Sequence, residues 1–141
     1  MKILKRSITV LVCLVLFTSC TKSIDRKKEK SYIEIKKGIT YYKGTPFTGE
    51  IFENYENGQL MTKETYKDGK IDGLSEGYYK NGQLKRKKYW EDGKRDGLYE
   101  AYYENGQLYK KENFKDGKRD SLFEEYFENG QPRVKANYKD G

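Results

Sequence analysis

The stretch GLYEAYYENGQLYKKENFKDGKRD, Gly97–Asp120, decides the fold because most of it recurs every twenty-four residues along the chain. Asn and Gly tolerate the positive φ that tight turns require, and strand-like residues separate the turn pairs. Each copy therefore predicts one β-hairpin. The Asn-Gly pairs are Asn57-Gly58, Asn81-Gly82, Asn105-Gly106 and Asn129-Gly130, and the Asp-Gly pairs are Asp68-Gly69, Asp92-Gly93, Asp116-Gly117 and Asp140-Gly141.

The Asn-Gly turn is compatible with two hairpin registers. A two-residue type I′ turn sets Glu100 opposite Lys111, a cross-strand pair that recurs as Glu76/Lys87 and Glu124/Lys135. A three-residue turn with Gly in a G1 bulge instead sets Tyr102 opposite Leu108 and gathers Leu98, Tyr102, Leu108 and Phe114 on one face. Both registers stay open at the level of sequence.

The second strand of each hairpin carries the predicted core. Leucine and an aromatic residue lie six positions apart, which in a regular strand places both on the same face. A lone two-stranded ribbon is marginal in water, so the copies must stack side by side to cover that face. The predicted fold is all-β, an elongated, twisted, single-layer array of tandem antiparallel hairpins. The pairs are Leu60/Tyr66, Leu84/Trp90 and Leu108/Phe114, with Pro132, Val134, Ala136 and Tyr138 in the last copy.

The repeat domain is predicted to span residues 32–141. Residues 32–43 (YIEIKKGITYY and the following Lys) alternate around Lys36-Lys37-Gly38 and predict a divergent hairpin that closes the ribbon. About four repeats follow it. Irregular terminal units are typical of repeat proteins.

The first nineteen residues have the pattern of a secretion signal: Lys2, Lys5 and Arg6, then the apolar run 8–17, then small residues before Cys20. The stretch LFTSC resembles the lipobox of bacterial lipoproteins, in which the cysteine is lipidated and becomes the mature N-terminus. This resemblance implies palmitate on Cys20 and a lipid-anchored membrane protein of the bacterial cell envelope. An ordinary signal peptide is the alternative. Residues 20–31 then read as a basic tether.

The net charge of +7 comes from the N-terminal region, since residues 32–141 hold 21 basic and 20 acidic residues. This near balance gives no electrostatic case for nucleic acid. The basic tether favours anionic lipid headgroups, with a merely solvated linker as the alternative.

The repeat, with YYxNGQL followed by an aromatic residue and DGK, resembles the variant MORN repeat, and GTPFTGE (residues 44–50) resembles YwqK-type antitoxins. The resemblance covers residues 44–141 well and 32–43 loosely. It implies a β-hairpin scaffold for a protein partner, with a cognate toxin as one candidate. In larger relatives catalysis belongs to an appended domain.

Catalysis is not expected. The chain has no His, so the commonest general base and metal ligand is missing, and no Ser or Cys has a His partner. Glu124 and Glu125 point to opposite faces of a strand, and the recurring aspartates Asp72, Asp96 and Asp120 are turn residues. We therefore expect no catalytic site, no metal and no cofactor.

The candidate partner-binding residues form two rows, the rings Tyr55, Tyr79, Tyr103 and Phe127 and the flanking lysines Lys63, Lys87, Lys111 and Lys135. Adjacent aromatic residues such as Tyr78/Tyr79 occupy both faces of a strand, and only one face is needed for the core, so the second row is predicted to be exposed. Exposed rings favour a protein partner or stacking on sugar rings. Cross-strand packing by tyrosine is the alternative. The sequence thus predicts a noncatalytic binding platform, with a surface lipoprotein that binds glycan or lipid headgroups as the second hypothesis.

Overall fold

The computed structural model describes residues 21–138, and its regular structure is β-strand apart from one 3₁₀ turn at Lys30–Tyr32. The predicted signal segment 1–19, Cys20 and the final Asp140-Gly141 turn lie outside the described residues. Within 21–138 there is no helix of the length and apolarity that crossing a bilayer requires. The strands are β1 Ser23–Asp25, β2 Ile33–Lys36, β3 Ile39–Tyr42, β4 Thr45–Pro46, β5 Gly49–Asn54, β6 Leu60–Lys67, β7 Lys70–Tyr78, β8 Leu84–Glu91, β9 Lys94–Tyr102, β10 Leu108–Lys115, β11 Lys118–Tyr126 and β12 Pro132–Tyr138.

Nine of these strands form one open sheet in the order β1-β5-β6-β7-β8-β9-β10-β11-β12. From β5 onward each strand pairs antiparallel with the next along the chain. The prediction of an all-β array of consecutive antiparallel hairpins is confirmed. At a strand spacing of ~4.8 Å, β5 and β12 lie about 35 Å apart.

The Asp-Gly turns are two-residue turns of type I′. In the turn between β8 and β9, Asp92 has φ 49° and Gly93 has φ 81°, and Glu91 pairs with Lys94 across it. Positive φ at both central residues defines this turn type and matches the right-handed twist of the strands. The type I′ geometry therefore belongs to the Asp-Gly turns at Asp68, Asp92 and Asp116.

The Asn-Gly turns have three residues and a G1 bulge. Gly106 has φ 86°, its N–H donates to Tyr103 O at 2.9 Å, and Tyr103 N–H donates to Gln107 O at 2.8 Å. Tyr102 consequently lies opposite Leu108. A second bulge follows at Tyr109, after which Lys111 lies opposite Glu100. The two predicted pairings therefore occur together in one hairpin.

The bulge at Tyr109 overturns the predicted core face. It shifts the register by one residue, so Leu108 lies on the face of Tyr102, whereas Phe114 lies on the opposite face with Tyr99. The prediction that leucine and aromatic residue share a face is wrong, since it assumed an unbroken strand. We call the side with Glu100 and Lys111 the ladder face, and the side with Tyr99 and Phe114 the aromatic face.

The most buried apolar side chains lie at the N-terminal end of the sheet. There the small antiparallel sheet β2-β3-β4 packs against the first repeat. We call residues 21–46 the cap. Its contact with the first repeat is a cluster of Ile24, Tyr42, Phe47, Ile51 and Tyr66, in which the Tyr42 and Phe47 rings lie 6.0 Å apart and the Phe47 and Tyr66 rings 6.1 Å apart.

Two N-terminal interpretations change with this arrangement. Strand β1 pairs parallel with β5, and Ile24 is only 3% exposed, so Ser23–Asp25 belongs to the fold rather than to a tether. The predicted hairpin 32–43 is present as β2 and β3. It does not close the ribbon by strand pairing, because β1 occupies the edge beside β5.

Candidate binding surfaces

The ladder face carries an alternating row of glutamate and lysine across the strands β6 to β12. Its members pair in register as Lys63, Glu76, Lys87, Glu100, Lys111, Glu124 and Lys135. Lys87 Nζ lies 2.7 Å from Glu100 Oε2, and Lys135 Nζ lies 2.8 Å from Glu124 Oε1. At the start of the row Lys63 Nζ reaches Glu50 Oε1 at 2.8 Å. With Glu50 included, the row has four lysines and four glutamates, so the four candidate lysines belong to a row that is neutral as a whole.

Protonation of the row is coupled to this pairing. Burial opposes ionisation of Glu100, but hydrogen bonds from Lys87 and Tyr102 outweigh it and lower the pKa of the carboxyl below its ordinary value. The hydrogen bond to Glu100 correspondingly raises the pKa of Lys87. The hydrogen bond from Lys135 lowers the pKa of Glu124. Both partners of these pairs are thus held in their charged forms.

The predicted tyrosine row has a structural function at the Asn-Gly edge. The hydroxyls of Tyr55, Tyr79 and Tyr103 donate to the carbonyl oxygen of the residue twenty-three positions later, at 2.8, 2.7 and 2.9 Å. The turn asparagines Asn57, Asn81 and Asn105 link successive repeats in the same way through Nδ2. Each repeat is thereby bonded to its successor at this edge. Phe127, which has no hydroxyl, occupies the last position of the row and is 49% exposed.

The rings themselves lie at the border of the aromatic face, each near the bulge residue of the same hairpin. The rings of Tyr103 and Tyr109 lie 5.1 Å apart, and Lys85 Nζ lies 5.2 Å above the Tyr79 ring. The structure therefore places the predicted rings and the predicted lysines on opposite faces. The four bulge residues are Met61, Lys85, Tyr109 and Arg133.

Two shallow clefts open beside these rings. One of about 410 Å³ is lined by Tyr55, Met61 and the turn residues Glu56 and Asn57, with Lys27, Glu53 and Lys80 around it. The other, of about 230 Å³, is lined by Tyr79, Lys85, Arg86, Tyr99, Ala101, Tyr102 and Tyr109. Each cleft combines a ring of the predicted row with the bulge residue of its hairpin.

The centre of the aromatic face holds arginines that the sequence analysis missed. Arg95 lies 5.8 Å from the Trp90 ring and 5.1 Å from the Phe114 ring, and Arg119 lies 5.8 Å from the Phe123 ring. Such contacts stabilise cations on ring faces. Arg95 and Arg119 are twenty-four residues apart, and this repeat spacing was the sequence signal that could have identified them.

One acidic residue of the aromatic face is almost completely buried. Glu112 is 3% exposed, and its Oε1 lies 2.6 Å from Lys110 Nζ and 3.4 Å from Arg119 Nη2. These are ion-pair contacts without hydrogen-bond geometry at this oxygen. Together with the arginine contacts, they show that cations and rings hold this face together in place of an aliphatic core.

The prediction that the recurring aspartates are turn residues is wrong, because Asp72, Asp96 and Asp120 lie within β7, β9 and β11. Two of them stabilise the turn of the following hairpin. A carboxylate oxygen of Asp72 accepts the N–H of Asp92 at 3.0 Å, and Asp96 accepts that of Asp116 at 3.2 Å. Each of these two Asp-Gly turns is thus capped by an aspartate from the strand that precedes its hairpin. Within residues 21–138, no three potential metal-ligating side chains come together.

An open sheet of similar hairpins, each bonded to the next and bordered by shallow clefts, defines a repeat-scaffold class of protein. The family model of the MORN repeat variant matches residues 47–68, 71–92, 95–116 and 119–140. The chain therefore belongs to the MORN repeat variant family. The first match begins two residues before β5, the other three begin at the second residue of β7, β9 and β11, and each match ends at the Asp of an Asp-Gly pair. No curated protein and no solved structure gives a significant match to the chain.

Proposed function

We propose that this chain is a noncatalytic protein-binding platform, anchored to the bacterial envelope by lipidated Cys20. The observation that supports binding is the row of rings at the Asn-Gly edge together with the bulge residue next to each ring. The constant tyrosines fix one repeat to the next. The bulge residues differ from repeat to repeat, as Met61, Lys85, Tyr109 and Arg133.

The constant tyrosines and the variable bulge residues thus have different roles: the tyrosines hold the scaffold together, and the bulge residues determine binding specificity. A position that bonds the next repeat must keep its hydroxyl, whereas a bulge side chain at the open edge of the face is not needed for strand pairing. Repeat proteins present such positions as one extended surface. The bulge row therefore carries the chemistry that selects the partner.

The composition of the row favours a protein partner. Tyr, Arg and Met are enriched at protein interfaces, and Tyr and Arg among the residues that dominate binding energy. Successive hairpins are two strands apart, so the four bulge positions span about 30 Å, the extent of an interface of roughly 800 Å² per partner. The resemblance of residues 44–50 to antitoxins makes a toxin that acts in the envelope the partner we propose, which gives the protein an immunity role.

The test of binding is chemical crosslinking in the native envelope followed by purification of the chain. We expect one partner at near-stoichiometric yield, lost in the double variant Lys85→Ala plus Tyr109→Ala. The matched control, Lys94→Ala plus Lys118→Ala, changes exposed residues at the opposite edge and should retain the partner. Equal yields from both variants would exclude the bulge row.

The anchor is tested separately. The lipobox-like LFTSC ending at Cys20 supports lipidation. The variant Cys20→Ser should abolish metabolic labelling with palmitate and block maturation. Unchanged labelling would refute the anchor without affecting the binding proposal.

A glycan-binding surface is the second candidate. It is supported by the cleft in which Tyr79, Tyr99 and Tyr109 converge, since rings of this kind stack on sugars. Here Tyr79→Ala plus Tyr103→Ala should abolish binding to peptidoglycan or polysaccharide. Undiminished crosslinking to a protein in that variant would favour the first candidate.

A further inference from the structure

The positive charge of the folded protein is concentrated in the cap. Residues 21–46 contain eight basic and three acidic residues, whereas residues 47–138 contain 17 basic and 18 acidic residues. On the ladder face the charges of the repeats pair with one another. The cap is therefore the part of the described chain that attracts a negatively charged surface.

The cap also exposes two large apolar side chains beside these cations. Ile35 is 66% exposed and Tyr32 is 48% exposed. Ile35 precedes Lys36 and Lys37 at the tip of the β2–β3 hairpin. An exposed apolar residue at a lysine-rich hairpin tip is typical of surfaces that enter the interfacial layer of a membrane.

A cleft of about 440 Å³ brings these two properties together. It is lined by Ile33 and Ile35 from β2, by the cations Arg26, Lys27 and Lys30, and by Glu53 from β5. Arg26 is paired with Glu64 at 3.1 Å. In the described part of the chain no carboxylate lies within 4.0 Å of the Nζ atoms of Lys27, Lys30 or Lys37. Three lysines are thus available to an anion at or near this cleft.

The position of the cap in the chain indicates where that anion is. Only two residues separate Cys20 from β1, and β1 is part of the sheet. At ~3.5 Å per residue, an acyl chain on Cys20 would hold Ser23 within about 10 Å of its attachment point. This step rests on the proposed anchor. It places the cap at the headgroup layer rather than at the end of a long tether.

We propose that the cap docks on an anionic lipid bilayer, with Ile35 and Tyr32 in the interfacial layer and Lys27, Lys30 and Lys37 on headgroup phosphates. A lipid surface fits better than an acidic protein because Ile33 and Ile35 line one cleft with Lys27 and Lys30 and because the proposed anchor holds this end at the membrane. Docking fixes the orientation of the sheet, so that the repeats extend away from the bilayer toward a partner.

The experiment uses the mature chain from residue 20 on with Cys20→Ser, which carries no lipid and contains every described strand and the whole buried cluster. It is floated with vesicles of phosphatidylcholine alone or of phosphatidylcholine mixed with phosphatidylglycerol. We expect binding only to the anionic vesicles, with an affinity that falls as salt is raised.

Variants locate the docking surface. Lys27→Gln plus Lys30→Gln should weaken binding by roughly fivefold for each lysine, and Ile35→Ser by roughly tenfold. The control Lys94→Gln plus Lys118→Gln makes the same change in net charge at exposed positions of the repeats and should bind like the parent. Thermal unfolding of each variant checks that the fold is retained.

Three results would overturn the proposal: a parent chain that stays in solution with anionic vesicles, equal losses in the cap and control variants, or full binding by Ile35→Ser. Loss of a crosslinked protein in the cap variants without vesicle binding would assign the cap to an acidic protein instead. The parent chain in this experiment carries no lipid, so a failure to bind vesicles says nothing about the anchor. The anchor is tested separately by palmitate labelling. A failure to bind vesicles is also distinct from a failure of partner binding, which the bulge-row variants report.

Discussion

The N-terminal end and the later repeats of this protein are built from the same kind of strand but are stabilised differently. At the N-terminal end the cap covers the sheet, and Ile51 is 1% exposed. In β7–β12 one layer has solvent on both sides, and Ala101, Phe114 and Phe123 are its buried apolar residues. There, bonds between neighbouring hairpins replace a second layer. A single layer is sufficient when each repeat is tied to the next at both edges.

Those ties recur with the repeat. At one edge the tyrosine hydroxyls reach the next hairpin. At the other, the N–H groups of Gly69, Gly93 and Gly117 donate to Phe47, Ile71 and Arg95 O at 2.8–2.9 Å. Since a buried or half-buried hydrogen bond adds about 1 kcal/mol, a few per repeat are significant against a marginal total. The difference between the two ends can be tested by matched substitutions.

The largest effect is expected in the cap cluster. Ile51→Ala should lower the free energy of unfolding by about 3 kcal/mol, because the site is buried in a cluster that cannot close around the cavity. Leu98→Ala, at a half-buried position of the ribbon, should cost about 1 kcal/mol. Urea unfolding of the unlipidated chain measures both. Equal losses of unfolding free energy in the two variants would mean that the cap does not form a more stabilising core than the later repeats have.

Equivalent turn glycines give a sharper comparison. Gly69 and Gly117 have φ of +82° and +84°, but a Cβ on Gly69 would clash with Ile39 Cγ2 and lie 2.8 Å from Thr40 O, whereas on Gly117 it would meet nothing within 4 Å. Gly117→Ala should cost about 1 kcal/mol through backbone strain. Gly69→Ala should cost about 2 kcal/mol more, because the cap must move. A smaller loss at Gly69 would contradict the close packing of the cap on this turn.

The ties between repeats are tested by removing one hydroxyl. Tyr79→Phe deletes the 2.7 Å hydrogen bond to Tyr102 O and should lower the unfolding free energy by about 1 kcal/mol. Tyr109→Phe is the control, since no hydrogen bond of its hydroxyl is formed within the described residues, and it should be neutral. If the two variants have the same unfolding free energy, the tyrosine row stabilises the sheet by ring packing and not by the hydroxyl hydrogen bonds.

A stabilising substitution is expected in the last repeat. Ser121 has φ 65° at the position where the two preceding repeats have Gly73 and Gly97 with φ 102° and 101°. A side chain in this region is strained, so Ser121→Gly should raise the unfolding free energy by about 0.5–1 kcal/mol. Thermal unfolding would show a higher Tm. A lower Tm would mean that the serine side chain contributes more than its backbone strain costs.

The smallest effect is the pH response of the ladder face, which solvent screens. The folded-state pKa of Glu100 lies below its ordinary 4.5, so its stabilising contribution is present above that value and is lost as the pH falls through the folded pKa. Urea midpoints measured from about pH 7 to about pH 3 should fall, and they should fall less in Glu100→Gln. An identical fall in both chains would remove Glu100 as a contributor.

Local features of the fold were predictable because they depend on neighbours in sequence. The twenty-four-residue period, the turns at Asn-Gly and Asp-Gly and the Glu100/Lys111 pairing all follow from turn chemistry and strand alternation. Which side chains share a face of the sheet was not predictable. One extra residue at Tyr109 moves Leu108 and Phe114 apart, and no composition signal marks such a bulge.

The candidate site was predictable only in part. The row Tyr55, Tyr79, Tyr103 follows from the repeat, but its hydrogen bonds to the next hairpin depend on how far successive strands are displaced. The separation of these rings from Lys63, Lys87, Lys111 and Lys135 depends on the same bulges.

The sequence alone determined the repeated hairpin, its turns and its alternating charges, since these are interactions among residues close along the chain. Tertiary structure decided which side chains share a face, that Ile24 and Phe47 complete a core with the first repeat, and that Lys27 and Lys30 line one cleft with the exposed Ile35. These outcomes required distant segments to meet, and the free energy of such contacts depends on the positions of the strands in space rather than on their spacing in the chain.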